Sequence, residues 1–100
     1  MRYIALFEDN PAAGETIRAD NMSDHLAFLE RHKTSIRAAG PLREPDGIGA
    51  GGLWVVEADA ASDVQKLVEE DPFWPKGLRK SVRILEWKQV FADGRRLIGP

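Results

Sequence analysis

No cysteine occurs in the 100 residues. Disulfides, thiolate nucleophiles and cysteine-ligated zinc are therefore excluded. Long apolar runs are missing as well. The opening run, residues 3–7, is closed by Glu8 and Asp9. It is too short for the apolar region of a signal peptide, and nothing approaches a membrane span, so the expected compartment is the cytoplasm with no membrane partner. Neither sign of charge dominates. Fourteen Lys and Arg against sixteen Asp and Glu leave a net charge of −2, which provides no electrostatic footprint for nucleic acid. The usual catalytic signatures GxSxG, HExxH and the P-loop do not occur. Gly47, Gly49 and Gly52 formally match GxGxxG. That run precedes a strand, whereas a nucleotide fingerprint follows a strand and opens a helix, so it reads as a loop.

What is present fits a single globular domain. Hydrophobic residues make up 43% and charged residues 30%, which is ordinary for a folded chain and wrong for disorder. One domain is expected over 1–100, with its core in 1–91 and a turn and tail in 92–100. Residues 2–8 read as a strand, with Tyr3, Ala5 and Phe7 on one side and Ile4 and Leu6 on the other. Residues 9–19, with Pro11 and Gly14, read as a loop. Over 20–39 the pattern is helical: Met22, His25, Leu29, His32, Ile36 and Ala39 fall in one stripe about 100° wide. Gly40-Pro41 would stop that helix. Residues 41–52 read as a loop, with a short edge strand near Leu42 and Arg43 and a turn at Asp46-Gly47. A second strong strand covers 53–58. Asp59 or Ser62 would cap the next helix, Ser62 and Gln65 having the capping-box spacing. Val64, Leu67 and Val68 form its buried edge, and Asp71-Pro72 ends it. Residues 80–91 read as a long strand, with Leu85, Trp87 and Phe91 on one face and Val82 and Ile84 on the other. Asp93-Gly94 is a turn, after which a short extra strand can pair.

The order β-α-β-β-α-β is the ferredoxin-like split βαβ plan: an α+β fold with an antiparallel sheet and two helices on one face. Its strands are apolar on both sides, yet 100 residues leave no element to cover the second face. A second copy, sheet against sheet, is the economical cover, so a homodimer is expected.

Two residues stand out for chemistry. His25 sits in the middle of the apolar stripe, where an imidazole is either a hydrogen-bonded core residue or a general acid/base. Asp71, at the end of the second helix, is either a turn-forming Asp or the partner that orients His25. His32 shares the stripe but lies two turns away, about 10.5 Å along the axis, too far to join His25 on one ion. Asp20, Asp24 and Asp71 have no ligand spacing, so no metal is expected. Arg18, just before the expected helix, either meets an anionic group of the substrate or is a solvated loop residue. Phe73 and Trp74 belong to the core or line a pocket.

The opening Met1-Arg2-Tyr3-Ile4-Ala5-Leu6, the helical His25-Leu26-Ala27-Phe28-Leu29, Ala39-Gly40-Pro41-Leu42, the strand at 51–58, Asp71-Pro72-Phe73 and Gly77-Leu78 together resemble the YCII-related domain family (YciI-like proteins) over about residues 1–90. The resemblance implies a dimeric α+β barrel and an active-site His-Asp pair at His25 and Asp71. It implies a small cofactor-independent enzyme that uses this pair for acid/base chemistry on an aromatic or carbonyl-bearing metabolite, of lyase, isomerase or dehalogenase type. Arg18, Phe73 and Trp74 are the expected substrate-binding residues. The alternative is a non-catalytic homodimeric small-ligand-binding or assembly module, with His25 and Asp71 as a structural pair. The Gly-rich 47–52 segment and the tail after Phe91 depart from the family pattern.

Overall fold

Alternation in the first strand creates two unequal sheet faces. In β1 (Arg2–Asp9), Tyr3, Ala5 and Phe7 are buried while Ile4 and Leu6 are half-buried on the other side. The computed structural model describes residues 1–13 and 15–99, and of Glu15 the backbone alone. Gly14, read above as part of a loop, and Pro100, at the end of the tail, lie outside the described residues. The remaining main elements are α1 (Glu15–Arg31), β2 (Ile36–Arg43), β3 (Gly49–Glu57), α2 (Ala61–Glu70) and β4 (Arg79–Glu86). They form the expected β-α-β-β-α-β ferredoxin-like α+β plan, an antiparallel sheet of order β2-β3-β1-β4.

Both helices pack on the face that carries Tyr3, Ala5, Phe7, Trp54 and Val56, to which α1 adds Phe28 and α2 adds Val64 and Val68. Fully burying a side chain such as Val68 contributes roughly 1.5–3 kcal/mol. The opposite face presents Ile4, Leu6, Leu53, Val55 and Leu85, and no element of the described residues covers it. Among those residues no helix is long and apolar enough to cross a membrane.

Several boundaries differ from the sequence reading. The first helix begins at Glu15 and stops at Arg31, so Arg18 stands in its first turn instead of before it. Residues 32–35 turn the chain, and Ile36 begins a strand. Ile36 and Ala39 match the helical stripe only because a long window accommodates either period. Residues 36–43 instead take the backbone hydrogen bonds offered by β3, from Ile36↔Val56 to Arg43↔Gly49. Gly40 and Pro41 therefore lie inside β2 and do not end a helix. Pro41 is tolerated there because β2 is an edge strand with a single neighbour. The 41–52 loop shrinks to the turn between β2 and β3. There Asp46 Oδ1 accepts from the Ile48 N–H, and Gly47 takes a φ of 94°.

The cap of α2 is Ala60, without a side-chain hydrogen bond, so neither Asp59 nor Ser62 caps it. Asp71 does end it, turning to φ −64°, ψ 131° before Pro72. The long 80–91 strand stops at Glu86. Trp87 donates one further backbone bond to Arg2, while Phe91 belongs to a separate small hairpin, β5 (Phe91–Ala92) with β6 (Arg95–Arg96). Its turn is Asp93-Gly94, both at positive φ, the geometry that suits a two-residue hairpin loop.

Candidate active site

α1 presents Arg18, Met22, His25, Leu26 and Leu29 along one face, spaced as successive turns place them. That face forms one wall of a cavity of about 120 Å³. The floor is the sheet, with Ala39, Gly40 and Pro41 from β2 and Gly52 and Trp54 from β3; Phe73 and Arg79 close the end. Beyond it lies an outer basin of about 430 Å³ under the β2–β3 turn, lined by Arg43, Gly47, Gly49 and Gly51 among others. Arg18 and Pro41 belong to both walls, so the two spaces adjoin. A separate cleft of about 480 Å³ opens where Met1, Ser35, Glu57 and Lys66 meet. It contains neither histidine nor aromatic ring, so the convergence of chemical groups points to the smaller cavity.

His25 and Asp71 come together at the inner end. Nδ1 of His25 lies 2.7 Å from Oδ1 of Asp71, and both residues are buried. A carboxylate only accepts, so the shared proton sits on Nδ1 and Nε2 is the nitrogen free for proton transfer. The Asp-Pro-Phe segment fixes the imidazole twice. Asp71 Oδ1 also accepts from the Phe73 N–H at 3.4 Å, and the Phe73 ring stacks on His25 at 4.2 Å between centroids, 22° from parallel. The end of α2 thus places both the carboxylate and the ring that stacks on the imidazole.

Arg79 is the site residue that sequence reasoning missed. Its side chain is 6% exposed, and Nη1 lies 3.8 Å from Oδ2 of Asp71, an ion pair too long for a hydrogen bond. The guanidinium instead rests on rings: its Cζ is 3.7 Å from the Phe7 centroid and 5.4 Å from that of Phe73. Burial pushes its pKa down to about 10; the Asp71 carboxylate works the other way, and the nearby Arg18 charge adds to the lowering. It remains a cation at neutral pH.

Strand alternation hides this residue. Val82 and Ile84 face the helices, so unbroken alternation would put Lys80 inside and Arg79 outside. The register jumps, however, from Glu8↔Ser81 to Asp9↔Arg79. This bulge leaves Lys80 exposed beside Glu8 and turns Arg79 into the cavity.

The other expected site residues separate. Arg18 lines the cavity and pairs with Asp9 at 3.1 Å, and Phe73 lines it too. Trp74 is not in the wall; it packs against the core cluster. His32 lies in the turn after α1, its ring 4.7 Å from that of Phe28. Among the described residues no group of three His, Asp or Glu side chains is placed to hold a metal ion.

Comparison with a solved structure agrees with the fold. The chain is similar to 5-chloro-2-hydroxyhydroquinone dehydrochlorinase (TftG) from Burkholderia phenoliruptrix AC1100, solved in complex with 2,5-dihydroxybenzoquinone. Identity is 30%, coverage 88% of this chain and 94% of that one, and the TM-score is 0.75. Two more distant structures overlap more loosely. One is a protein from Arabidopsis thaliana at 9% identity, covering 92% of this chain and 97% of that one with a TM-score of 0.47. The other is an ethyl tert-butyl ether d (ethd) family protein from Bacillus halodurans c-125 at 17% identity, covering 87% and 97% with a TM-score of 0.45. No protein with a curated description matches the sequence significantly. The model of the YCII-related domain matches residues 1–88, and the chain belongs to the YCII-related domain family.

Proposed function

We propose that this protein is a small enzyme in which His25, oriented by Asp71, moves a proton on a hydroxylated aromatic or carbonyl-bearing substrate held in the inner cavity. The observation that carries this reading is the buried 2.7 Å His25–Asp71 contact, with His25 in the wall of a cavity that Met22, Leu26, Trp54 and Phe73 line together with Arg18 and Arg79. Asp71 holds one tautomer and stabilises the imidazolium that forms; Nε2 takes the proton from substrate and can return it. Proton transfer of this kind requires no cofactor. The similarity to a dehydrochlorinase supports a substrate of hydroxylated-ring type. In loss of HCl from such a ring, a base accepts the proton and chloride leaves with its bonding electron pair; His25 is the base available here. Phe73 and Arg18 line the space such a ring would occupy, while Trp74 packs against the core cluster outside it.

The same reading includes a homodimer. The uncovered sheet face with Ile4, Leu6, Leu53, Val55 and Leu85 supports a second copy packed face to face.

The test is a turnover assay with chlorinated and unchlorinated hydroxyquinols, for the wild type, His25→Gln and Asp71→Asn. Both variants are expected to lose about 10²–10⁴-fold in rate while circular dichroism stays unchanged. The rival reading, in which the pair only ties the helices together, predicts unfolding or destabilisation in both variants and no turnover by the wild type.

A further inference from the structure

Arg79 is a buried cation that no hydrogen-bond acceptor among the described residues satisfies. Its Nε and Nη1 are sealed from solvent without a hydrogen-bond partner, as is Oδ2 of Asp71. Leaving such groups unmade inside a protein is costly, and a structural arginine would ordinarily be forked against a carboxylate. Here the guanidinium is supported from below by the faces of Phe7, Phe73 and Trp54. It is also turned inward by a strand bulge that leaves its neighbour Lys80 outside. Bulges of this kind re-aim side chains beside active sites. Arg18 stands in the same wall, paired with Asp9.

We propose that Arg79 is an oxyanion-binding residue, and that the substrate of this cavity carries, or acquires during reaction, a negatively charged oxygen on a planar ring: a phenolate, enolate or carboxylate. The charges of the inner group argue for this. Asp71 and Arg79 cancel, so the set they form with a neutral His25 has no net charge. When an O–H bond of the substrate breaks and an Nε2–H bond forms, the set gains one positive charge and the oxygen keeps the electron pair. An oxyanion next to Arg79 restores neutrality in a partly enclosed space, where such an interaction is stronger than in bulk water. The proposal rests on the acid/base reading for its timing but not for its binding prediction.

Benzoate and its neutral isostere benzamide are the probes, with affinity measured by calorimetry against the wild type, Arg79→Met and Arg79→Lys. A charge-assisted hydrogen bond to a buried partner should favour benzoate by ~10- to 100-fold. Arg79→Met should abolish that preference, and Arg79→Lys, which keeps charge but not the fork, should retain part of it. Equal affinity for the two probes, a preference that survives in Arg79→Met, or no binding of either at millimolar concentration would overturn the proposal. Circular dichroism of each variant guards against misfolding, and Arg79→Lys keeps the test decisive if Arg79→Met does not fold. The acid/base reading fails separately: a benzoate preference that depends on Arg79, together with hydroxyquinol turnover unaffected in His25→Gln, would keep the oxyanion site and remove His25 as the base.

Discussion

His25 and Asp71 stand 46 residues apart in the chain, yet their Nδ1 and Oδ1 are 2.7 Å apart, the first on a helix and the second at the residue that ends another. The sheet makes this contact, because β1 and β3 bury one continuous face on which both helices must lie. Asp71 uses its other oxygen toward Arg79. One carboxylate therefore orients the imidazole and partly neutralises the only deeply buried guanidinium of the cavity wall.

The tautomer of His25 follows from this geometry. The neutral imidazole should carry its proton on Nδ1, against the ordinary preference of free histidine for Nε2. Nitrogen-15 NMR of the ring should show a protonated Nδ1 and a bare Nε2 for His25. In Asp71→Ala the ring should revert to the usual mixture. An Nε2-protonated ring in the wild type would show that the contact does not orient the base.

Arg79 should cost the fold stability. Its side chain is 6% exposed, and burial pushes its pKa down from the ordinary arginine value to about 10, which corresponds to on the order of 3 kcal/mol. The folded state releases the proton more readily than the unfolded one, so the cost is complete below about pH 10 and fades as pH rises toward the ordinary arginine value. Urea unfolding at pH 7 should find Arg79→Met at least as stable as the wild type. The gap should narrow once pH passes 10. A variant less stable by more than about 1 kcal/mol would mean that the arginine is held for structure.

Gly51 cannot be replaced. Its φ is +94°, and an added Cβ would stand 2.0 Å from the Phe7 carbonyl oxygen on β1. Gly51→Ala should lose at least about 2 kcal/mol in chemical denaturation. Gly49→Ala, where nothing lies within 4 Å, should stay within about 0.5 kcal/mol of the wild type.

The uncovered sheet face predicts association. Light scattering coupled to size exclusion should give twice the chain mass, and Val55→Lys, which puts a charge in the middle of that face, should give a monomer. A monomeric wild type at micromolar concentration would remove the second copy from the proposal.

The two central strands were legible because Tyr3, Ala5 and Phe7 alternate with Ile4 and Leu6, and because 53–58 is apolar on both sides; each pattern admits only a strand. The end of α2 was legible for a local steric reason, since Asp71 precedes a proline. So was the Asp93-Gly94 turn, where positive φ favours such residues. β2 was not legible. Seven of its eight residues, Ile36 excepted, are exposed or half-buried, so no periodic pattern marks them, and Ile36 and Ala39 fitted a helical stripe equally well. Only the hydrogen-bonding edge of β3, assembled from distant sequence, decides that this stretch is extended.

At the site the same division holds. His25 and Asp71 were visible as residue types in suggestive places, because a histidine on an apolar stripe and an Asp before a helix-ending proline are local features. Arg79 was not. Its inward direction depends on a bulge opposite Glu8 and Asp9, and its burial depends on Phe7, Trp54 and Phe73 arriving from three separate parts of the chain. Sequence by itself determined the types and order of the elements other than β2 and the two faces of the sheet, since these follow from periodicity and backbone sterics over a few residues. The tertiary structure alone decided which helix residue meets which carboxylate and which cation enters the cavity, since those depend on register, and a one-residue shift in register reverses every side chain.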